Sequence, residues 1–206
     1  FIIALTIFLV LTYKKNTISE IKNSGFPAVI AGLFLSLSFV AYIVSMSKTT
    51  VANVVFIIST QTIFLAIFGL LFLKEKINLK GLMSILLAFL GMVVMVGDSI
   101  NQGTLFGNIV AFAIPINFTI LVMIIRKFPD LDMVPAIFYS GIFSGIYGLF
   151  LASNFTFSSN DIFMGFLLGV PQLAFGFICV TIGTKTTKAV TVGLLMLLET
   201  IFAPIW

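Results

Sequence analysis

The sequence predicts an all-α polytopic membrane protein, an inverted-repeat helical bundle with about eight helices in this chain and about five per half in the full protein. Three observations predict it. Hydrophobic residues make up 60% of the 206 residues and charged residues only 9%, with a mean hydropathy of +1.24; a soluble domain carries roughly 25% charged residues. The apolar residues fall in runs of about 20, the length that crosses a hydrocarbon core as a helix. The basic residues gather between alternate runs.

In chain order, residues 1–12 read as the end of a span. Full spans follow at 26–46, 50–73, 79–97, 104–125, 133–152 and 162–183, and residues 188–206 are most of another. Alternate connections lie on opposite sides of a membrane. One side receives Lys14, Lys15, Lys22, Lys74, Lys76, Lys80, Arg126, Lys127, Lys185 and Lys188; the other receives only Lys48. That asymmetry places the basic side in the cytoplasm. The connections GDSINQGT and ASNFTFSSNDI, which hold no basic residue, then face outward. One helix more or fewer would scramble the pattern, so it also supports the number of spans. The expected location is a bacterial inner (plasma) membrane.

The inventory excludes several chemistries. There is no His, so His-based acid–base catalysis, proton relays and the usual metal sites are ruled out. Cys179 is the single cysteine, which rules out an intrachain disulfide; its apolar segment predicts a buried, inert thiol. The net charge of +4 forms no basic face, so no nucleic-acid partner is expected. No cofactor and no metal are implied.

The chain repeats itself. SKTTVANVV at 47–55 resembles TKTTKAVTV at 184–192; at an offset of 137, Gly32 matches Gly169, Lys48 matches Lys185, Thr49 and Thr50 match Thr186 and Thr187, and Ala52 matches Ala189. One inserted residue later, QTIFLAIF at 61–68 matches ETIFAPIW at 199–206. The two Lys-Thr-Thr turns fall on opposite sides in the orientation above, so the halves are related by inversion. The expected repeats are 1–97, lacking its first helix, and 104–206, lacking its last.

The stretch SKTTVANVVFIISTQTIFLAIFGLLFLKEKINLKGLMSILLAFLGMVVMVG resembles the EamA module of the drug/metabolite transporter superfamily. The carriers of the resemblance are the turn at 47–55, LKEK at 73–76 and the helix GLMSILLAFLGMVVMVG at 81–97. In the second half, LLETIFAPIW is similar to the family's L-E-P-x-F-A segment, with Thr200 where the family has proline and Pro204 four residues later. The resemblance implies a ten-helix bundle with cytoplasmic termini and a central cavity between the repeats. It implies a secondary transporter of small metabolites or amino acids working by alternating access, often outward. The alternative is a non-transporting scaffold or channel-like protein of the same fold. The expected partners are a small-molecule solute and the lipid bilayer.

Polar groups inside spans are costly, roughly 2.5–3.5 kcal/mol for a charge on insertion scales, and should face a bundle interior or wet cavity. Glu199 lies about 15 Å into its helix, near the midplane. Gln61 occupies the equivalent depth, and the inversion predicts that the two face each other. Two readings stand for Glu199: it binds a cationic or amine group of the solute or carries a coupling proton, or it is a structural carboxylate bonded to Thr or Ser hydroxyls or to carbonyls freed by Pro204. Pro115 with Asn117, and Pro171 with Gln172, pair a helix-kinking proline with an amide; both pairs read as cavity lining, or as packing kinks with interhelical bonds. Ser38 and Tyr42, with Ser36, line the cavity from the equivalent first-half helix or bond their own backbone. Gly141 with Gly145, and Gly165 with Gly169, read as close helix contacts. Glu75 belongs to the interfacial LKEK and is a lesser candidate. An enzyme would need clustered nucleophiles, His or paired acids, and Asp130 and Asp132 stand alone in a loop. The protein is therefore read as not an enzyme.

Overall fold

The computed structural model describes residues 2–76, 79–96, 104–151 and 158–202; for residues 4, 15, 80, 84, 88, 91–96 and 199–202 within these, only the backbone is described. All the regular elements among the described residues are helical. They are α1 (Ile2–Tyr13), α2 (Thr17–Asn23), α3 (Gly25–Lys48), α4 (Val51–Ser59), α5 (Gln61–Phe72), α6 (Leu79–Val96), α7 (Leu105–Lys127), α8 (Val134–Leu151), α9 (Ser159–Leu167), α10 (Gly176–Thr184) and α11 (Ala189–Phe202). Among the described residues, five helical stretches are long and apolar enough to cross a membrane: Gly25–Lys48, Val51–Phe72, Leu105–Lys127, Val134–Leu151 and Ser159–Thr184. Five of the six expected full spans reappear with limits moved by a few residues; the sixth, 79–97, corresponds to α6. Helix α2 was not expected; it occupies the basic connection before α3.

Short polar residues set the helix starts. Thr50 accepts from the Asn53 amide at 3.2 Å and caps α4. Thr104 does the same for α7 through Gly107, also at 3.2 Å. Asp132 accepts from the Val134 amide at 3.0 Å ahead of α8. Ser158 and Asp161 form a reciprocal capping box on α9. Each removes orphan amides that hydrocarbon cannot satisfy.

Helix α7 is the axis of the bundle. It packs against α3, α4, α5 and α10, while α3 also lies along α8. The α3–α8 crossing is close: a Cβ on Gly32 would stand 2.6 Å from the Ala136 carbonyl oxygen. The main core gathers Leu5, Leu9, Leu35, Leu65, Phe118, Leu121, Val122, Ile125 and Ile137 around it. The outer faces are apolar as well, with Leu71, Phe72, Phe150 and Ile162 each more than 60% exposed. A soluble protein would not tolerate such a surface; a bilayer covers it. Cys179 lies on this outer surface, exposed, and not buried as expected. It sits on an outward-facing position of α10, which the apolar run alone could not reveal. Gly145 does meet α1, with Ile2 3.3 Å from its Cβ position, but Gly165 faces open space.

The connections sort to two ends of α7. At its N-terminus, the Thr104 amide and hydroxyl both donate to the Lys48 carbonyl, at 3.3 and 2.5 Å. Gly107 leaves room for that turn, since a Cβ there would stand 2.8 Å from Lys48 and Thr49 atoms. At the C-terminus of α7, Arg126 Nη1 donates to the Lys185 carbonyl at 3.2 Å. The two Lys-Thr-Thr turns therefore occupy opposite ends of one 23-residue helix, roughly 30 Å apart at 1.5 Å per residue. Tyr13 bonds to Asp132, and Tyr139 to the Ile21 carbonyl at 3.4 Å. The connections bearing Lys14, Lys22, Lys74, Arg126, Lys127 and Lys185 thus meet at the second end.

Candidate functional site

Three spans are interrupted, or carry proline, close to their midpoints, and polar side chains cluster at those points. The first interruption splits Val51–Phe72 at Thr60. The Thr60 amide and hydroxyl both turn to the Ile57 carbonyl, at 3.1 and 2.6 Å, and Ser59 Oγ donates to the Phe56 carbonyl at 2.5 Å. Two adjacent hydroxyls bonded three residues back tighten this turn and separate α4 from α5. Gln61 is the first residue of α5 and is 6% exposed.

The next residue makes the closest crossing at this level. Thr62 Oγ1 donates to the Gly193 carbonyl in α11 at 3.0 Å. A Cβ on Gly193 would lie 2.9 Å from Thr62 Cα, so the two backbones touch. Gly69 meets Ala189 at the far end of the same pair, so α5 and α11 run antiparallel. Gln61 is thereby level with Gly193. Beyond it, Leu197 packs on Ala52, Val55 and Phe56 of α4. Glu199 is six residues past Gly193, about 9 Å along the axis. Its carboxylate lies outside the described residues, and with it the expected meeting with Gln61. Pro204 lies outside them as well.

The second point is in α7. Pro115 is buried inside an unbroken helix. Lacking an N–H, it leaves the Ala111 carbonyl without its usual helical donor. Thr119 Oγ1 donates to the Pro115 carbonyl at 2.7 Å. Ser38 Oγ reaches both the Phe34 carbonyl of its own helix, at 3.2 Å, and the Ile114 carbonyl, at 3.4 Å. Ser38 therefore bonds its own backbone, one of the two roles expected of it, and also joins α3 to the proline turn. Asn117 is half-buried two residues on.

The third point lies between α9 and α10, where Leu168–Phe175 is π-helical and contains Pro171. A π-turn accommodates one extra residue and is a common way for a helix to absorb a proline. Pro171 and Gln172 are exposed. Tyr42 is 42% exposed on α3. Of the six predicted polar positions, then, Gln61 and Ser38 are buried at helix contacts, Asn117 is intermediate, and Tyr42 and Gln172 are open to the outside; the sixth is Glu199. A groove of about 210 Å³ between α5 and α6, lined by Ile63, Leu70, Leu82 and Phe89 among others, offers no polar group and is no part of this set.

Two networks escape the linear sequence. Thr49 donates to Asn108 Oδ1 at 2.6 Å, and Asn53 Nδ2 reaches Thr49 at 3.0 Å and Asn108 at 3.2 Å, clasping the first Lys-Thr-Thr turn to α7. At the other end, Glu75 pairs with Arg126 and accepts the Ala189 amide at 2.9 Å. Asp132, taken above for a solitary loop acid, binds Tyr13 and the α8 amide. The partners are tens to more than a hundred residues apart, so only the presence of Glu75 among lysines hinted at a bond.

With helices as the regular elements of its described residues, apolar spans and an apolar exterior, the chain is an all-α polytopic membrane protein. Residues 1–97 match the model described as the EamA-like transporter family, a match that supports an EamA module of the drug/metabolite transporter superfamily in this part of the chain. No curated protein and no solved structure is matched by the chain.

Proposed function

We propose that the protein is a secondary transporter that moves small metabolites or amino acids, by alternating access, between two inverted repeats at about 1–97 and 104–206. The observation that carries this reading is the placement of the two Lys-Thr-Thr turns at opposite ends of α7, in a chain that opens with an EamA module. Inverted repeats with interrupted helices at mid-membrane are the usual frame of a secondary transporter. The interruption before Gln61, the proline beside Asn117 and the π-helical turn at Gln172 supply polar groups at that depth. Glu199 is the acid of the pathway, binding an amine of the solute or exchanging a coupling proton. The basic end is cytoplasmic, in a bacterial inner membrane. A pathway with one acid and no basic residue at the centre of a span suits neutral, zwitterionic or amphipathic cationic solutes.

The test is uptake and efflux by the full-length protein in proteoliposomes across a panel of amino acids and metabolites. Glu199→Gln is compared with the parent at two pH values. With proton coupling through Glu199, transport by the parent varies with pH and that variation disappears in the variant. Full activity with unchanged pH dependence removes Glu199 from the coupling role. Absence of flux for every solute, in protein that is folded and inserted, favours a scaffold of the same fold.

A further inference from the structure

The pathway leaves one buried ion pair unexplained. Glu75 follows α5 in the connection to α6, and Lys74 before it adopts a left-handed φ of +53°. The Glu75 amide folds back onto the Gly69 carbonyl at 3.0 Å, which turns the side chain inward. The side chain is 8% exposed and that of Arg126 18%. One carboxylate oxygen takes the Arg126 guanidinium; the other takes the first amide of α11 at 2.9 Å. Arg126 also holds the Lys185 carbonyl. Glu75 belongs to the matched module and its partners do not. A single carboxylate thus closes the basic end by joining the α5–α6 connection, the C-terminus of α7 and the turn into α11.

The charges suit their places, an anion at a helix N-terminus and a cation at a C-terminus. Yet a buried pair of this sort adds little net stability, because desolvation offsets attraction, while losing one partner strands a charge. The opposite end of α7 holds its turn with neutral hydrogen bonds alone among the described contacts. We infer that the Glu75–Arg126 pair is a latch: it holds the basic end closed and parts when the pathway opens to that side. The inference rests on the alternating-access reading.

The test locks the latch and then removes it, in the full-length chain carrying Cys179→Ala. Gly69 and Ala189 flank the pair, with a Cβ on Gly69 only 3.2 Å from that of Ala189, near the 3.5–4.5 Å span of a disulfide. Gly69→Cys with Ala189→Cys, oxidised, fixes the closed state. Thr184, 2% exposed and next to Lys185, is the reporter. Thr184→Cys, in a separate protein without the cross-link pair, is labelled by a small maleimide from the basic side. Glu75→Gln with Arg126→Gln removes both charges and strands neither. A latch predicts a severalfold faster Thr184→Cys reaction in that double variant. It also predicts transport abolished by the cross-link and restored by reduction. Transport that continues through the formed disulfide, or a labelling rate that the double variant leaves unchanged, overturns the latch. If no solute is moved but the double variant speeds labelling, the pair still closes the basic end, and it is the transport reading, with the latch's part in it, that falls.

Discussion

Gly193 shows how much a single hydrogen atom decides in this bundle. Thr62 Cα and Cγ2 stand 2.9 and 3.1 Å from where a Cβ would go, and the Thr62 hydroxyl bonds the Gly193 carbonyl. Backbone cannot yield as a flexible side chain does, so overpacking should cost about 1–3 kcal/mol. Gly165 is the internal control, since a Cβ there meets nothing within 4 Å. Gly193→Ala should lower the Tm of the detergent-solubilised protein by several degrees. Gly165→Ala should leave it unchanged or raise it slightly, because alanine favours helix by up to about 1 kcal/mol over glycine. Equal shifts in the two variants would mean that α5 and α11 do not touch. Neither outcome is legible in the sequence, where both are glycines in apolar runs. Residue type alone marked Gln61 and Ser38 as polar groups that need partners, because amides and hydroxyls in hydrocarbon seek them; their burial at helix contacts came only with the structure. It marked Glu75 only as a lesser candidate and could not name its partners, which lie 51 and 114 residues away.

At the scale of elements, apolar length and the flanking lysines fixed the spans to within a few residues, while irregularities inside the spans were only partly visible. Pro171 announced a distortion, and the structure gives its form as a π-helical turn over Leu168–Phe175. The break at Thr60 had no proline or glycine to announce it. Its signal was the adjacent pair Ser59-Thr60, whose hydroxyls compete for backbone carbonyls. Helix α2 was missed because its seven residues, TISEIKN, are too few to carry an apolar period. Pro171→Ala restores an N–H and removes the ring clash, so the segment should relax toward regular α-helix. Hydrogen exchange followed by mass spectrometry should then show slower exchange of the peptide covering 168–176 than in the parent. If the distortion belongs to tertiary packing and not to proline, the exchange rates of that peptide will coincide.

For the whole molecule the decisive part of the proposal is inversion. In the sequence it appeared as two Lys-Thr-Thr turns at an offset of 137, placed on opposite sides by an alternation of lysines. In the structure, Thr104 and Arg126, at the two ends of α7, each hold one turn by its lysine carbonyl. Labelling assigns each turn to a compartment. Ser47 and Thr186 are both exposed beside their turns, and Cys179, exposed on α10, must first be replaced by alanine. A membrane-impermeant maleimide added to intact cells should modify Ser47→Cys and leave Thr186→Cys unmodified. In inside-out vesicles the pattern should reverse. The direction follows from the lysine distribution, since the end that gathers Lys14, Lys22, Lys74, Lys127 and Lys185 should be retained in the cytoplasm. Reversal of both labels would overturn the assigned orientation but preserve the inverted architecture. Modification of both sites from one side is incompatible with α7 crossing the membrane between them, and no pathway between inverted halves would survive that result.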